Sequence, residues 1–392
     1  MKRIRVGVVF GGQSSEHYVS VRSATSVIAN LDRERYDPLA LYLLPQGRWV
    51  VPDRPPAALT EADAKEYVRD QEARQARTDR EAHLVAYPSN DRSLLTIERR
   101  GPELDSGHDS AQDVAVVRGL HLDVVFPVMH GPYGEDGTVQ GLLELANLPY
   151  VGAGVLASAA GMDKAVMKTL FAASKLPGPA HALVTSRNWA SDRAGVLAGL
   201  VGRFAFPVFV KPANLGSSVG ISKAKDAAAL EAALDLAAQY DRRLIVEAAV
   251  PNAREIEVSV LGNDRPEASV PGEVIPSREF YDYEAKYLDE GSQLLIPAPL
   301  TAAQTTEVRR LAVEAFLAVD AAGMGRVDFL LDRVSGQWYL NEINTIPGFT
   351  TISMYPKLWG ASGLEYPALL DRLIDLALER HADKQLFRSH TL

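Results

Sequence analysis

The residues best suited to chemistry lie late in the chain, in Gly325-Arg326-Val327-Asp328-Phe329-Leu330-Leu331-Asp332 and Trp338-Tyr339-Leu340-Asn341-Glu342-Ile343-Asn344. Both runs are rich in branched and aromatic residues and read as short strands, joined by a hairpin loop over Arg333-Val334-Ser335-Gly336-Gln337. Side chains alternate along a strand, so Arg326 shares a face with Asp328, and Glu342 with Asn344. Folding the hairpin about Ser335 sets Asp328 opposite Glu342, to within a residue. Three oxygen donors and one guanidinium then converge. Oxygen-only ligands suit a hard cation such as Mg²⁺, which keeps several waters and binds substrate phosphates. The patch points to nucleotide-phosphate chemistry. An exposed hairpin with solvated charges is the plainer alternative, and four such residues on matching faces beside a Gly-Pro loop weigh against it.

A second group surrounds a lysine. Val208-Phe209-Val210-Lys211-Pro212 is an apolar strand ending in a cation, and Asn214-Leu215-Gly216-Ser217-Ser218-Val219-Gly220 is rich in backbone N–H groups and hydroxyls. Such a loop wraps phosphate oxygens, with the strand-end lysine as a point charge beside them. It is not a Walker loop, because the Gly-Lys-Ser/Thr order and the following helix are missing. A plain hairpin connection explains it as well. Gly11-Gly12 fail the dinucleotide fingerprint, since no third glycine opens the helix, and read as a tight turn beside a ligand. Glu16, near the N-terminus of that helix, is either a cap or the partner of a substrate ammonium.

His130, in His130-Gly131-Pro132-Tyr133-Gly134-Glu135-Asp136-Gly137, ends a buried strand, where the ligands of α/β sheets collect. It holds a carboxylate or a phosphorylated intermediate, or it is a satisfied structural histidine. Phe280 to Tyr287 belong to a long loop with aromatics and charge, either a lid or a solvated surface loop. Gly348 offers a backbone N–H as an oxyanion donor directly after the metal strand.

Strands and turns must hold these groups in place. Residues 5–10, the Gly11-Gly12 turn and a helix over 20–29 form the opening unit of an α/β domain. Strands follow at 39–44, 122–129 and 148–151, closing a first domain near Gly152. Residues 60–83 read as one surface helix and 92–113 as loop, so that about 52–114 forms an insertion of low information. Beyond Gly152 the pattern gives helices over 163–174, 226–240, 305–322 and 366–380. It gives strands over 207–211, 244–246, 255–261 and 268–275, and a polar loop over 278–294.

Bulk properties narrow the classes. A length of 392 residues suggests two or three domains. The net charge of −9 argues against nonspecific binding to nucleic acid or to a membrane surface. The absence of cysteine excludes disulfides, thiolate metal sites and thiol nucleophiles. The Met-Lys-Arg start lacks the apolar core of a signal peptide, and no run approaches the roughly 20 apolar residues of a membrane span. The expectation is a cytosolic protein.

Taken in order, the motifs resemble those of the D-alanine–D-alanine ligases of the ATP-grasp superfamily. The matching residues begin with Gly11-Gly12-Gln13-Ser14-Ser15-Glu16, His130-Gly131 with Gly134-Glu135-Asp136-Gly137, and Met162-Asp163-Lys164. They continue with Lys211-Pro212, Gly216-Ser217-Ser218-Val219-Gly220, Glu255-Ile256-Glu257-Val258 and Phe280 to Tyr287, the family's ω-loop. They end with Gly325-Arg326-Val327-Asp328, Asn341-Glu342-Ile343-Asn344-Thr345 and Ser353-Met354-Tyr355-Pro356. The resemblance spans nearly the whole chain outside the insertion. It implies an α/β and α+β fold in three domains: a doubly wound parallel-sheet domain over 1–152, a central ATP-grasp subdomain over 153–250, and a C-terminal ATP-grasp domain over 251–392 carrying the ω-loop 278–294.

The resemblance also assigns roles. Lys164, Lys211 and Ser218 would meet the phosphates of ATP. Glu247 and the backbone of Ala248 to Val250 would face the adenine, and Glu255 the ribose. Asp328, Glu342 and Asn344 would hold two Mg²⁺, for which Mn²⁺ can substitute. Lys286 would reach the transferred phosphate. The first D-alanine would become an acyl phosphate, which the amine of the second attacks, with Arg326 and the Gly348 N–H stabilising the oxyanion. Glu16 would anchor the first ammonium, linked through Ser217 and Tyr287 to the closed loop. His130, Ser353 and Met354 would bind substrate, Ser353 through the second carboxylate. A tyrosine at 287, where ester-forming relatives carry histidine, favours D-alanine over D-lactate. A homodimer through the first domain is implied as well. The rivals are another ATP-grasp carboxylate–amine ligase, of the D-Ala–D-Ser or D-Ala–D-Lac type, and a regulatory ATP-binding module without turnover. Retention of Arg326, Lys286 and the metal residues argues against the latter.

Overall fold

A computed structural model describes residues 2–75, 79–86, 94–100, 114–216, 219–275 and 293–386. Contacts gather the chain into two units, Met1–Gly152 with Gly348–Pro356 and Leu364–Leu392, and Ala153–Pro347 with Lys357–Gly363.

The first unit is built on a sheet with strand order Trp49–Val50, Tyr36–Leu43, Ile4–Gly11, Val124–Pro127. Ile4–Gly11 pairs in parallel with both neighbours, Val125 bridges Tyr150 in parallel, and the short strand Trp49–Val50 is antiparallel. Val6, Val8, Val9 and Phe10 are fully buried, as the strand's unbroken apolar run requires when both faces are covered. The chain then turns at Gly11 with φ 93°, where a Cβ would stand 2.2 Å from the Leu43 carbonyl oxygen, so only glycine fits. Helix His17–Asn30 follows and buries Val19, Val21, Ala24 and Val27.

The insertion departs from expectation. Helix Glu61–Gln75 is shorter than the 60–83 span, and three strands, Asp79–Leu84, Leu94–Arg100 and Val114–Leu120, form an antiparallel sheet of their own. The cause is a change of period that the charged composition hides. Ala82 is buried beside exposed His83, and Leu94 and Thr96 are buried two residues apart. The terminal helix, Tyr366–Leu386, packs with this unit. It buries Leu369, Leu370, Leu373 and Ile374, while Arg380 donates to the carbonyls of Tyr150 and Gly152.

The second unit holds two further sheets, both antiparallel. The smaller has the order Ser222–Ala224, Val208–Pro212, Arg243–Ala248, His181–Thr185. Its core of Val208, Val210, Leu244 and Val246 is covered by helices Arg193–Arg203 and Ala227–Ala237. Strand His181–Thr185 and helix Arg193–Arg203 lie outside the elements expected from the sequence, although Val196, Leu197 and Leu200 have helical spacing and pack on this core. The larger sheet runs Gln293–Leu295, Gly272–Ile275, Ala253–Gly262, Gly323–Asp332, Trp338–Asn344. The expected strand over 268–275 is two pieces, Glu267–Ala268 and Gly272–Ile275, with Pro271 between them unable to donate to a ladder. Helix Ala302–Ala318 starts at a capping box of Thr301 and Gln304 and lays Val308, Leu311, Ala315 and Phe316 against the core of that sheet.

Candidate active site

The hairpin of the larger sheet sets Asp328 opposite Glu342 and Arg326 opposite Asn344. The register then shifts, so that Phe329 faces Leu340 and Asn341 has no opposite number. This bulge reverses the alternation of the strand. Trp338, Leu340 and Ile343 are all buried, a spacing of two and then three that a regular strand cannot point one way. Asn341, Glu342 and Asn344 consequently share the other side.

On that side Arg326 donates to both oxygens of Asp328, Nε to Oδ1 at 2.8 Å and the guanidinium NH₂ to Oδ2 at 2.7 Å. Glu257, opposite Asp328 on the preceding strand, lies 3.1 Å from Arg326 Nε. Asn344 donates through Nδ2 to Asp328 Oδ2 at 3.0 Å, which keeps its amide oxygen on the far side of the group. Among the described residues no cluster of three His, Asp or Glu side chains assembles as a metal cage. Two carboxylates and an amide oxygen fit Mg²⁺ nonetheless, because that ion is held by one or two carboxylates and completes its shell with water and substrate phosphate.

The hairpin borders a cavity of about 360 Å³ lined by Lys211, Glu247, Val250, Glu255, Asp328 and Glu342 among others. Ala248 lines it too, so the residues expected at the nucleotide base and ribose, and Lys211 of those expected at the phosphates, are brought together with two of the three residues expected to hold metal, while Lys164 is not part of this lining. Glu247 is 3% exposed. Its Oε2 accepts from Lys211 Nζ at 2.8 Å, and its Oε1 lies 3.2 Å from Lys168 Nζ. Burial alone would raise the Glu247 carboxyl, but the two ammonium groups overcome that and hold it down at about 2. Lys168 is pushed below the usual lysine range by burial, against the pull of Glu247. Lys211 also resists burial, and Glu247 and Glu342 carry it above that range.

Lys168 was not legible as a site residue. The available signal was its place four residues after Lys164, which puts both on one face of helix Lys164–Ala173. Asp163 caps that helix, accepting from the N–H groups of Ala165 and Val166, and also pairs with Arg243 and accepts from Asn214 Nδ2 at 2.9 Å. Lys164 Nζ donates to the Leu215 carbonyl at 2.6 Å, at the start of the Gly/Ser loop. Ser217 and Ser218 in that loop, and Lys286 and Tyr287 in the ω-loop, lie outside the described residues.

The first unit gathers the remaining expected residues. Glu16 and His130 are buried, and a Cβ on Gly131 would stand 3.2 Å from Glu16 Oε2. Ser14 Oγ donates to the His130 carbonyl at 2.6 Å. Ser23, absent from the expected set, lies 3.2 Å from His130 Nε2 and accepts from the Phe349 N–H at 3.3 Å. Next to it, Ser353 Oγ accepts from Thr350 N at 3.0 Å, and Gly348 approaches so closely that a Cβ would meet that oxygen at 2.8 Å. Met354 is buried and opens helix Met354–Ala361.

Two family models match the chain, the D-ala D-ala ligase N-terminus over residues 5–153 and the D-ala D-ala ligase C-terminus over residues 170–375. The D-alanine--D-alanine ligase of Heliobacterium modesticaldum is 48% identical over 385 residues, covering 98% of this chain and 97% of that one. Its counterpart from a Thermoanaerobacter species is 46% identical and covers 98% and 99%. Among solved structures, the D-alanine-D-alanine ligase from Coxiella burnetii matches with a TM-score of 0.80 at 34% identity, covering 98% of this chain and 97% of that one. The VanG D-Ala:D-Ser ligase from Enterococcus faecalis matches at 0.76 and 30% identity, covering 96% and 100%.

Proposed function

Because the chain belongs to the D-alanine–D-alanine ligase family of the ATP-grasp superfamily, we propose that its second unit carries the nucleotide chemistry and its first unit the amino-acid anchors. The enzyme joins two D-alanines to D-alanyl-D-alanine at the expense of ATP, for peptidoglycan precursors. The observation that carries the residue assignment is the hairpin register, which turns Asp328 and Glu342 toward the same cavity as Lys211 and Glu255.

In this reading Asp328, Glu342 and Asn344 would hold Mg²⁺, as two ions for which Mn²⁺ would substitute, and the bound metal would supply positive charge against the phosphates. Lys164, Lys211, Ser218 and Lys286 bind phosphate oxygens, Glu255 the ribose, and Glu247 with Ala248 and Val250 the adenine. A carboxylate oxygen of the first D-alanine bonds to the γ-phosphorus as the bond to the ADP oxygen breaks, giving D-alanyl phosphate. The amine of the second D-alanine attacks the acyl carbon and loses a proton, and the C–O bond to phosphate breaks. Arg326 opposes the oxyanion charge that grows in this step. Glu16 pairs with the first ammonium. His130, Ser353 and Met354 position substrate, the Gly348 N–H is an oxyanion donor, and Ser217 and Tyr287 join the first anchor to the ω-loop.

A three-domain division at residues 152 and 250, a doubly wound first domain, a homodimer and a cytoplasmic location belong to the same reading. The parallel pairing around Ile4–Gly11 supports the second of these. No helix among the described residues is long and apolar enough to cross a membrane.

The test is phosphate release with ATP, Mg²⁺ and D-alanine, with L-alanine as control. Release that depends on D-alanine is expected, and equal release with both would overturn the reading. D-serine and D-lactate added as competing acceptors decide the rival ligase types. D-Alanyl-D-alanine should predominate over D-alanyl-D-serine and over the ester, and a mainly ester product would refute the role given to Tyr287.

A further inference from the structure

Lys168 has no part in the scheme above, yet its side chain is only 4% exposed and its ammonium makes two contacts, 3.2 Å to Glu247 Oε1 and 3.0 Å to the Asn341 carbonyl. Those two residues also meet Lys211. Glu247 Oε2 accepts from Lys211 Nζ at 2.8 Å, and Asn341 Oδ1 lies 3.5 Å from the same nitrogen. The four residues close a ring, Lys168 to Glu247 to Lys211 to Asn341 and back.

Each member comes from a different element. Lys168 projects from helix Lys164–Ala173, Lys211 from strand Val208–Pro212, Glu247 from strand Arg243–Ala248, and Asn341 from the bulge of strand Trp338–Asn344. The ring therefore ties the smaller sheet, which carries Glu247 and Ala248 of the residues assigned to the adenine, to the larger sheet, which carries the residues assigned to the metal. Three of its members line the cavity, and Lys168 stands behind them.

A buried carboxylate paired with one lysine is already neutralised, so a second buried ammonium on it is costly unless it fixes something else. What it fixes is a choice of oxygen. With Lys168 on Oε1, Lys211 is confined to Oε2. Without Lys168, both oxygens would compete for Lys211 and draw it back from the cavity. The same ammonium pins the carbonyl of the bulge residue whose successor is Glu342.

We propose that Lys168 is a positioning residue for the nucleotide, holding Glu247 and Asn341 so that Lys211 is presented to the phosphates of ATP. The proposal rests on the cavity being the nucleotide site and deepens that reading.

The experiment uses the full-length enzyme with Lys168→Met and, in case the apolar variant does not fold, Lys168→Gln. Wild-type and variant enzymes are titrated with a non-hydrolysable ATP analogue and Mg²⁺, and KM is measured separately for ATP and D-alanine. Loss of one charge-assisted contact predicts weaker analogue binding and a higher KM for ATP, each by about tenfold, with KM for D-alanine within about twofold. A bridge that serves only stability would lower the melting temperature and leave the ATP parameters within about twofold of wild type, and that result overturns the proposal. A parallel rise in both KM values overturns it as well. Failure of the wild type to bind the analogue would instead remove the nucleotide reading of the cavity, and the role of Lys168 with it.

Discussion

Arg326 grips both oxygens of Asp328, two residues away along one strand, at 2.8 and 2.7 Å. A fork of this kind fixes the plane of the guanidinium as well as its charge. Arg326→Lys keeps the charge and loses the fork. Its kcat is expected to fall about 100-fold, the scale of removing one oxyanion donor, while KM for ATP changes little. Steady-state kinetics against each substrate measure both.

Glu342→Ala should abolish turnover and leave the fold intact. Glu342 is only partly buried and sits at the sheet's cavity face, outside the apolar core, so its removal opens no core void. Activity at least about 100-fold below wild type, with unchanged circular dichroism, is the expected pair of results. Full activity would contradict its assignment as a metal residue.

Glu247 makes stability depend on acid. Its carboxyl is held at about 2 in the folded chain against an ordinary 4.5. A carboxyl depressed on folding contributes fully above the unfolded value and loses that contribution as pH falls toward the folded one. The window is therefore pH 4.5 down to about 2, and the gap is worth about 3 kcal/mol at most. Urea unfolding of the wild type and Glu247→Gln at pH 7, 5, 4 and 3 should show their difference shrinking below pH 4.5. A constant difference would refute the ionised, doubly paired state.

Gly348→Ala tests the substrate end of the first unit. The added methyl would stand 2.8 Å from Ser353 Oγ, so the hydroxyl must give way. Because Ser353 is assigned to the carboxylate of the second D-alanine, KM for that substrate should rise about tenfold, the cost of one lost hydrogen bond. Initial rates over a D-alanine range separate this from a general loss of activity.

The legible parts of the site were those where chemistry and periodicity coincide. Asp328 and Glu342 could be paired from the hairpin loop alone because the strands on either side of Ser335 are short and strongly apolar. Lys168 was hidden because a lysine on an alanine-rich helix looks solvated until the helix is packed. Ser23 was hidden for the opposite reason, being small and neutral, and only burial beside His130 reveals it. In the insertion, consecutive charged residues such as Asp79-Arg80-Glu81 and Glu98-Arg99-Arg100 masked a two-residue period whose buried members are as modest as Ala82 and Thr96. Packing of the last helix with the first unit follows from long-range contacts such as Arg380 to Tyr150, which no local pattern encodes.

The unpaired Asn341 makes strand Trp338–Asn344 a message with a reading frame. Upstream of it the apolar letters fall on one parity, and downstream on the other. Exchanging a residue here alters one letter. Deleting Asn341 would merge the two frames into one regular alternation with Ile343 still in the interior, and would remove the residue that both Lys168 and Lys211 meet, so the extra letter serves the site and not the sheet.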